Sequence, residues 1–269
     1  MEHLLGAANR GSVSTTFSIE NSCMFGNVFN SATVVDSMVR ETGTPSDQTR
    51  WTLSCWAKMG DPGSSGTMCI GGANTGTPER GAIQISSGQL IWIDYPYSTF
   101  GGHNLITNRK FRDPFAWYHL VFVFNSNEGT QADRVKIYIN GVQDTSFNNS
   151  TYTNMSQNDQ FDFGSASANY QFGYYFAGGS NDRRFCGYVA ETHYVNGTAL
   201  DETSFGEFDN NGIWIPKEYT GSHGSKGFYF KFDDSSNLGK DSASSGIGDF
   251  TLTNISAADQ AVDTPTNNF

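Results

Sequence analysis

Residues Ala116–Val142 read AWYHLVFVFNSNEGTQADRVKIYINGV. Tyr118–Phe124 is a nearly unbroken apolar and aromatic run. A polar connection through Gly129 follows, and then Val135, Ile137 and Ile139 alternate with Lys136, Tyr138 and Asn140. Period-two alternation marks a strand with one buried and one wet face. Asn140-Gly141 tolerates positive φ at both centres of a tight turn, so the chain is predicted to fold straight back through Val142. A buried central strand with a hairpin beside it makes the heart of a β-sandwich.

Working outward, Trp51, Leu53, Cys55 and Ala57 alternate with Thr52, Ser54, Trp56 and Lys58, a second clear strand. Trp56 falls on the parity opposite to the core set, so it lies under another layer or faces a partner. Further short strands are predicted at Met24-Phe25, Ala32–Val34, Met68–Ile70, Ala82–Ile85, Gln89–Asp94, Leu105-Ile106, Gln171–Ala177, Arg184–Val195 and Lys226–Phe232. One short helix is expected over 199–208, a surface tract over 143–160, and weak strand content at Asp249–Leu252. Residues 1–22 read as an extended N-terminal arm and 23–232 as the sandwich. Residues 233–269 read as a polar C-terminal tail, packed on the sandwich or extending from it. The fold class is all-β, a sandwich of about a dozen short strands.

The totals agree. A chain of 269 residues buries a sizeable core, and 30 Gly with 14% aromatic content suit short strands and tight turns. A formal charge of −11 argues against a phosphate backbone as partner, and Lys/Arg cluster only at Arg109-Lys110 and Arg183-Arg184. No stretch approaches the ~20 apolar residues of a membrane span. The segment MEHLLGAANRGS carries Glu2 and only a short apolar patch, so synthesis in a cytoplasm without a secretory signal is expected. Cysteines 23, 55, 69 and 186 lack the paired spacing of a zinc site and read as small buried hydrophobes or a disulfide.

A resemblance follows from motifs in order: WTLSCWAK (51–58), AWYHLVFVFN (116–125), DRVKIYINGVQ (133–143) and CGYVAETHYVNGTALD (186–201). They are laid out as in laminin-G-like, concanavalin A-like jelly-roll domains. The stretch from Asp201 to Phe269, including GEFDNNGIWIPKEYTG and NISAADQAVDTPTNNF, is similar to virion proteins of marine bacteriophages, including those of cyanobacteria. The resemblance implies a jelly-roll sandwich on a virion surface, in a tail fibre or capsid decoration, assembled in the host cytoplasm. It implies other virion proteins and glycans as partners, and a homo-oligomer, a trimer if built like phage fibres.

For chemistry, glucanases of this fold need paired carboxylates about 5 Å apart. The nearest match, Glu207-Phe208-Asp209-Asn210-Asn211-Gly212, has Gly where the last carboxylate belongs, and Glu191 stands alone, so no enzyme is expected. Asp233, Asp234, Asn237 and Asp241 gather hard oxygen donors in one turn, suited either to Ca²⁺ or to capping the turn itself. A glycan site needs an exposed aromatic face and planar polar groups. Trp92, Asp94, Tyr95, Tyr97, Phe100 and His103 offer these on one strand-to-loop stretch. Tyr170–Phe176 with Asn181, Asp182 and Arg183 is a second candidate. The alternative for both is packing within the sandwich or between subunits. The functional expectation is a lectin-like virion surface protein binding glycans weakly through many copies, with a purely structural decoration protein as the alternative.

Overall fold

The computed structural model describes residues 17–26, 35–41, 43, 47–61, 67–74, 81–94, 103–150, 155–160, 169–175 and 183–267. The chain runs through β1 (Ser22–Gly26), β2 (Ser37–Glu41), β3 (Arg50–Met59), β4 (Thr67–Asn74), β5 (Ala82–Ser86), β6 (Gln89–Asp94) and β7 (His103–Thr107). β8 (Trp117–Asn125), β9 (Val135–Ile139), β10 (Val142–Asp144) and β11 (Phe147–Ser150) form its middle. β12 (Asn169–Phe172), β13 (Tyr174–Tyr175), β14 (Arg183–Arg184) and β15 (Cys186–Asn196) follow. β16 (Gly206–Phe208), β17 (Trp214–Pro216), β18 (Phe228–Phe230), β19 (Thr251–Thr253) and β20 (Gln260–Ala261) close it.

Two antiparallel sheets carry most of these strands. The first has the order β10-β9-β8-β3-β15-β1-β20, with β18 also pairing β15; the second has the order β11-β7-β6-β5-β4-β12-β2-β19. The central pair is β3 and β8, in register from Arg50↔Asn125 to Lys58↔Trp117. The hairpin forms as its sequence dictates: Asn140 and Gly141 adopt φ of 50° and 76°, and Val142 pairs with Ile139.

The core lies between the sheets. Trp51, Leu53, Cys55 and Ala57 of β3 and Leu120, Phe122 and Phe124 of β8 meet Ile83, Ile85, Leu90, Trp92 and Leu105 of the second sheet. Burying a side chain such as Leu or Phe contributes about 1.5–3 kcal/mol, which this interface gains many times over. The result is an all-β jelly-roll sandwich.

The first sheet is covered on its other face as well. Trp56 joins Ile19, Trp117 and Ala190 there, and Val121, Val123, Val195 and Phe205 form a neighbouring cluster. Of the two readings of Trp56, the structure selects burial under a second layer. That layer consists of residues 17–19 and the segment 199–219.

Two sequence expectations differ from the structure. The helix expected over 199–208 is a single 3-10 turn, Glu202–Ser204, capped by Asp201 and followed directly by β16. Phe205 is drawn into the outer cluster, and Gly206 lets the Trp214 indole pack where a side chain would collide. The tract 143–160 is not all surface: β11 pairs β7, and Met155 is buried with its carbonyl accepting from Arg134 at 2.6 Å. The late segment, where the sequence predicts weak strand content at Asp249–Leu252, supplies β19 to the edge of the second sheet and β20 to the edge of the first. The expected strand at Ala32–Val34 lies outside the described residues. Among the described residues no helix is long and apolar enough to cross a membrane.

Candidate functional site

A cleft of about 600 Å³ opens where β2 outruns its edge neighbour β19. Thr251 pairs with Val39, so Arg40 and Glu41 have no β19 residue opposite them. On its other side β2 pairs β12, with Glu41 opposite Asn169 and Arg40 opposite Tyr170. Alternation sends Met38, Tyr170 and Phe172 into the core and leaves Val39, Glu41, Asn169 and Thr251 facing out. Arg40 bends over the end of β19's approach, donating to the Ile247 carbonyl at 2.8 Å and to that of Asp249 at 3.5 Å. Lys226 closes the cleft from the segment before β18. The walls thus present a guanidinium, a carboxylate, an amide, a hydroxyl and an ammonium around the apolar Val39 and Ile247. Planar polar groups over a small apolar floor suit a polyhydroxylated ligand.

The turn 233–241, suited by its residues either to Ca²⁺ or to capping itself, is the scaffold of one cleft wall. Asp241 accepts from the backbone N–H of Tyr229, Ala243 and Gly248, at 3.0, 2.9 and 3.0 Å. Asp249 accepts from the Asp241 N–H and from the Asn237 amide. Asp234 accepts from the Ser236 N–H and hydroxyl, and Asp233 faces Lys231. The oxygens cap the turn rather than converge, and among the described residues no group of three or more His, Cys, Asp or Glu is placed to hold a metal.

Of the aromatic glycan candidate, the structure describes Trp92 and the backbone of Asp94 and His103. Trp92 is 2% exposed, tilted against Trp51 at 5.3 Å and edge-on to Phe122 at 5.6 Å, so its ring is core and offers no face to a sugar. Asp94 and His103 are paired backbone positions at the ends of β6 and β7. Tyr95, Tyr97 and Phe100 lie outside the described residues. In the second candidate Tyr170 and Phe172 are core, Arg183 pairs in the β13–β14 hairpin, and Asn181 and Asp182 lie outside the described residues. Neither aromatic set forms a surface platform among the described residues.

Two buried polar networks lie on the outer face of the first sheet. His119 is stacked between Trp56 at 4.7 Å and Trp214 at 5.9 Å. The Trp214 indole N–H donates to His119 Nδ1 at 2.9 Å, so the ring's proton sits on Nε2 and donates to the Ser54 hydroxyl at 2.9 Å. Burial, with the positive charge His193 can carry, pushes His119 down to about 3.

The second network starts at a bulge, where Glu191 and Thr192 oppose Cys55 and Glu191 takes φ of 44°. The bulge reverses the parity of β15, turning His193 out of the core and Tyr194 into it. Glu191 accepts from the Tyr229 hydroxyl at 2.6 Å and lies 3.1 Å from His193 Nε2. His193 Nδ1 in turn lies 3.0 Å from His223 Nε2. Burial and the charge of His193 hold His223 down to about 4, while burial and Glu191 push the Tyr229 hydroxyl far up. These groups satisfy one another, with Glu191, His193 and His223 buried and Tyr229 half-buried at the edge. Cys23 and Cys55 are free and buried, as small hydrophobes, and Cys186 is free and half-buried.

Two packed antiparallel sheets with a polar cleft at one edge define a lectin-like jelly-roll. The chain belongs to the concanavalin A-like lectin/glucanases superfamily, its residues 36–193 matching the Laminin_G_3 family. Among solved structures, a protein from Bacteroides ovatus assigned to carbohydrate binding is 11% identical with a TM-score of 0.55, over 88% of this chain and 58% of that one. A heptameric SAP-like pentraxin from Limulus polyphemus is 16% identical with a TM-score of 0.48, over 68% of this chain and 78% of that one. At 11% identity the likeness to the Bacteroides protein is one of fold, and the chain spans little more than half of it. No curated protein matches the chain in sequence.

Proposed function

We propose that this chain is a non-enzymatic carbohydrate-binding protein whose ligand occupies the β2–β12–β19 cleft. The observation that carries this reading is the cleft itself. It gathers Arg40, Glu41, Asn169, Lys226 and Thr251 around an apolar floor on a lectin-like sandwich. Two of the carboxylates weighed for a glucanase site have other roles in the fold. Asp209 accepts from the N–H of Asn211 and Ile213 to cap the β16–β17 turn, and Glu191 is sealed at 5% exposure.

The setting we propose is a bacteriophage virion surface, tail fibre or capsid decoration, on the likeness of residues 201–269 to virion proteins. There a homo-oligomer would multiply a weak single-site affinity, by about 10²–10⁴ when copies engage together. A glycan array with the purified protein tests the reading. Binding to a defined set of glycans, lost in Asn169→Ala with unchanged thermal stability, is expected. A folded protein that binds no glycan, alone or clustered on beads, would overturn it.

A specific surface favours the second reading, a structural decoration protein. Val142, Phe208 and Ile213 are more than half exposed around the half-buried Trp214, an apolar area suited to contact between copies. An oligomer that dissociates on Phe208→Lys while glycan binding stays absent would favour it.

A further inference from the structure

We infer that the cleft selects a glycan bearing an anionic group, a carboxylate or a sulfate ester, and that Lys226 is the residue that reads it. This rests on the carbohydrate-binding reading and adds the chemical class of the ligand. Three charged side chains line the cleft: Arg40 and Glu41 from β2, and Lys226. Arg40 is committed, its guanidinium donating to the carbonyls of Ile247 and Asp249, where it shapes the wall. Lys226 is different. It is half-buried, and among the described residues no carboxylate forms an ion pair with its ammonium. A half-buried ammonium gains most from an anionic oxygen brought by a ligand, because its solvation is already reduced.

The backbone beside it holds the ammonium at the cleft wall. Gly43 takes φ of 61°, and a Cβ there would lie 2.9 Å from Lys226 Nζ. A glycine thus lets the ammonium pack close against the backbone, where any side chain would crowd it. The cleft's charges sum to +1 (Arg40 and Lys226 against Glu41), in a chain whose total is −11. A localised positive site on an acidic protein draws an anion to that site and disfavours it elsewhere on the surface. Glu41 and Asn169, opposite each other across β2 and β12, are left to accept and donate to sugar hydroxyls.

The test compares a polyuronate, a sulfated polysaccharide and a neutral β-glucan by titration calorimetry against the wild type, Lys226→Gln and Lys226→Arg. Melting temperatures serve as the folding control. Binding of at least one of the two anionic polymers is expected, weakening as salt rises, about tenfold weaker in Lys226→Gln and largely kept in Lys226→Arg. Which polymer binds distinguishes carboxylate from sulfate. Preferential binding of the neutral glucan, or anionic binding indifferent to Lys226→Gln, would overturn the inference and leave the carbohydrate-binding reading standing. No binding to any of the three, nor to any glycan on the array, would overturn both.

Discussion

His119 is buried at 1% exposure, stacked between Trp56 and Trp214 and hydrogen-bonded through both ring nitrogens. Its pKa is pushed down to about 3, first by burial and then by His193, from an ordinary 6.5. A base whose folded pKa lies below its unfolded value contributes stability that is complete above the unfolded pKa. That stability is lost as pH falls toward the folded pKa, because the unfolded chain takes up a proton the folded chain refuses. The loss runs at about 1.4 kcal/mol per pH unit, or about 2.7 kcal/mol between pH 6.5 and pH 4.5. The perturbation that isolates it is His119→Gln, which removes the titrating ring and disturbs the bonds to Ser54 and Trp214. At neutral pH that variant should be less stable by about 2–4 kcal/mol, the scale of two buried hydrogen bonds left imperfect. Urea unfolding of both proteins from pH 7.5 to pH 4.5 supplies the assay, since carboxylate protonation is common to both and cancels in the difference. The gap should shrink by about 2–3 kcal/mol as the pH falls. A gap constant across that range would mean that His119 protonates as readily in the folded chain as in the unfolded one. The sealed stack under Trp214 would then be wrong.

Trp92→Ala should destabilise the protein by about 3–5 kcal/mol in denaturant unfolding, as an emptied core position, and should not act as a selective glycan-binding mutation. Gly141→Ala should cost about 1–3 kcal/mol, because φ is 76° there and the new methyl would collide with the Trp214 indole; calorimetry reads the drop in Tm. EDTA should leave Tm unchanged, since Asp234 and Asp241 are already satisfied by the turn they cap; a clear fall in Tm on chelation would contradict that assignment.

The central strands were legible because their signal is redundant. β3 and β8 carry core residues on alternate positions, and Asn140-Gly141 sets the hairpin by backbone sterics alone. The misplacement of Trp92 shows which signal outranks which. In QLIWID, Leu90 and Trp92 share one parity, so period-two alternation already put the indole in the core, and its aromatic chemistry was no argument for exposure. The bulge at Glu191 was not legible, since one inserted residue changes the parity of a strand without changing its composition. The cleft was not legible either. Arg40, Asn169, Lys226 and Thr251 come from four separate segments, each unremarkable alone, and only the register of β2 with β12 and β19 brings them together. The turn 233–241 was read correctly for its residue types, but composition does not tell whether oxygens converge on an ion or turn back to their own backbone.

The most direct measurement is a backbone amide chemical-shift map of the 29.4 kDa protein titrated with the strongest glycan from the array. Saturable shifts concentrated at Val39–Glu41, Asn169, Lys226 and Ile247–Thr251 are the predicted result. Saturable shifts confined to any other part of the sandwich, with these positions unmoved, would contradict the placement of the site at the β2–β12–β19 edge.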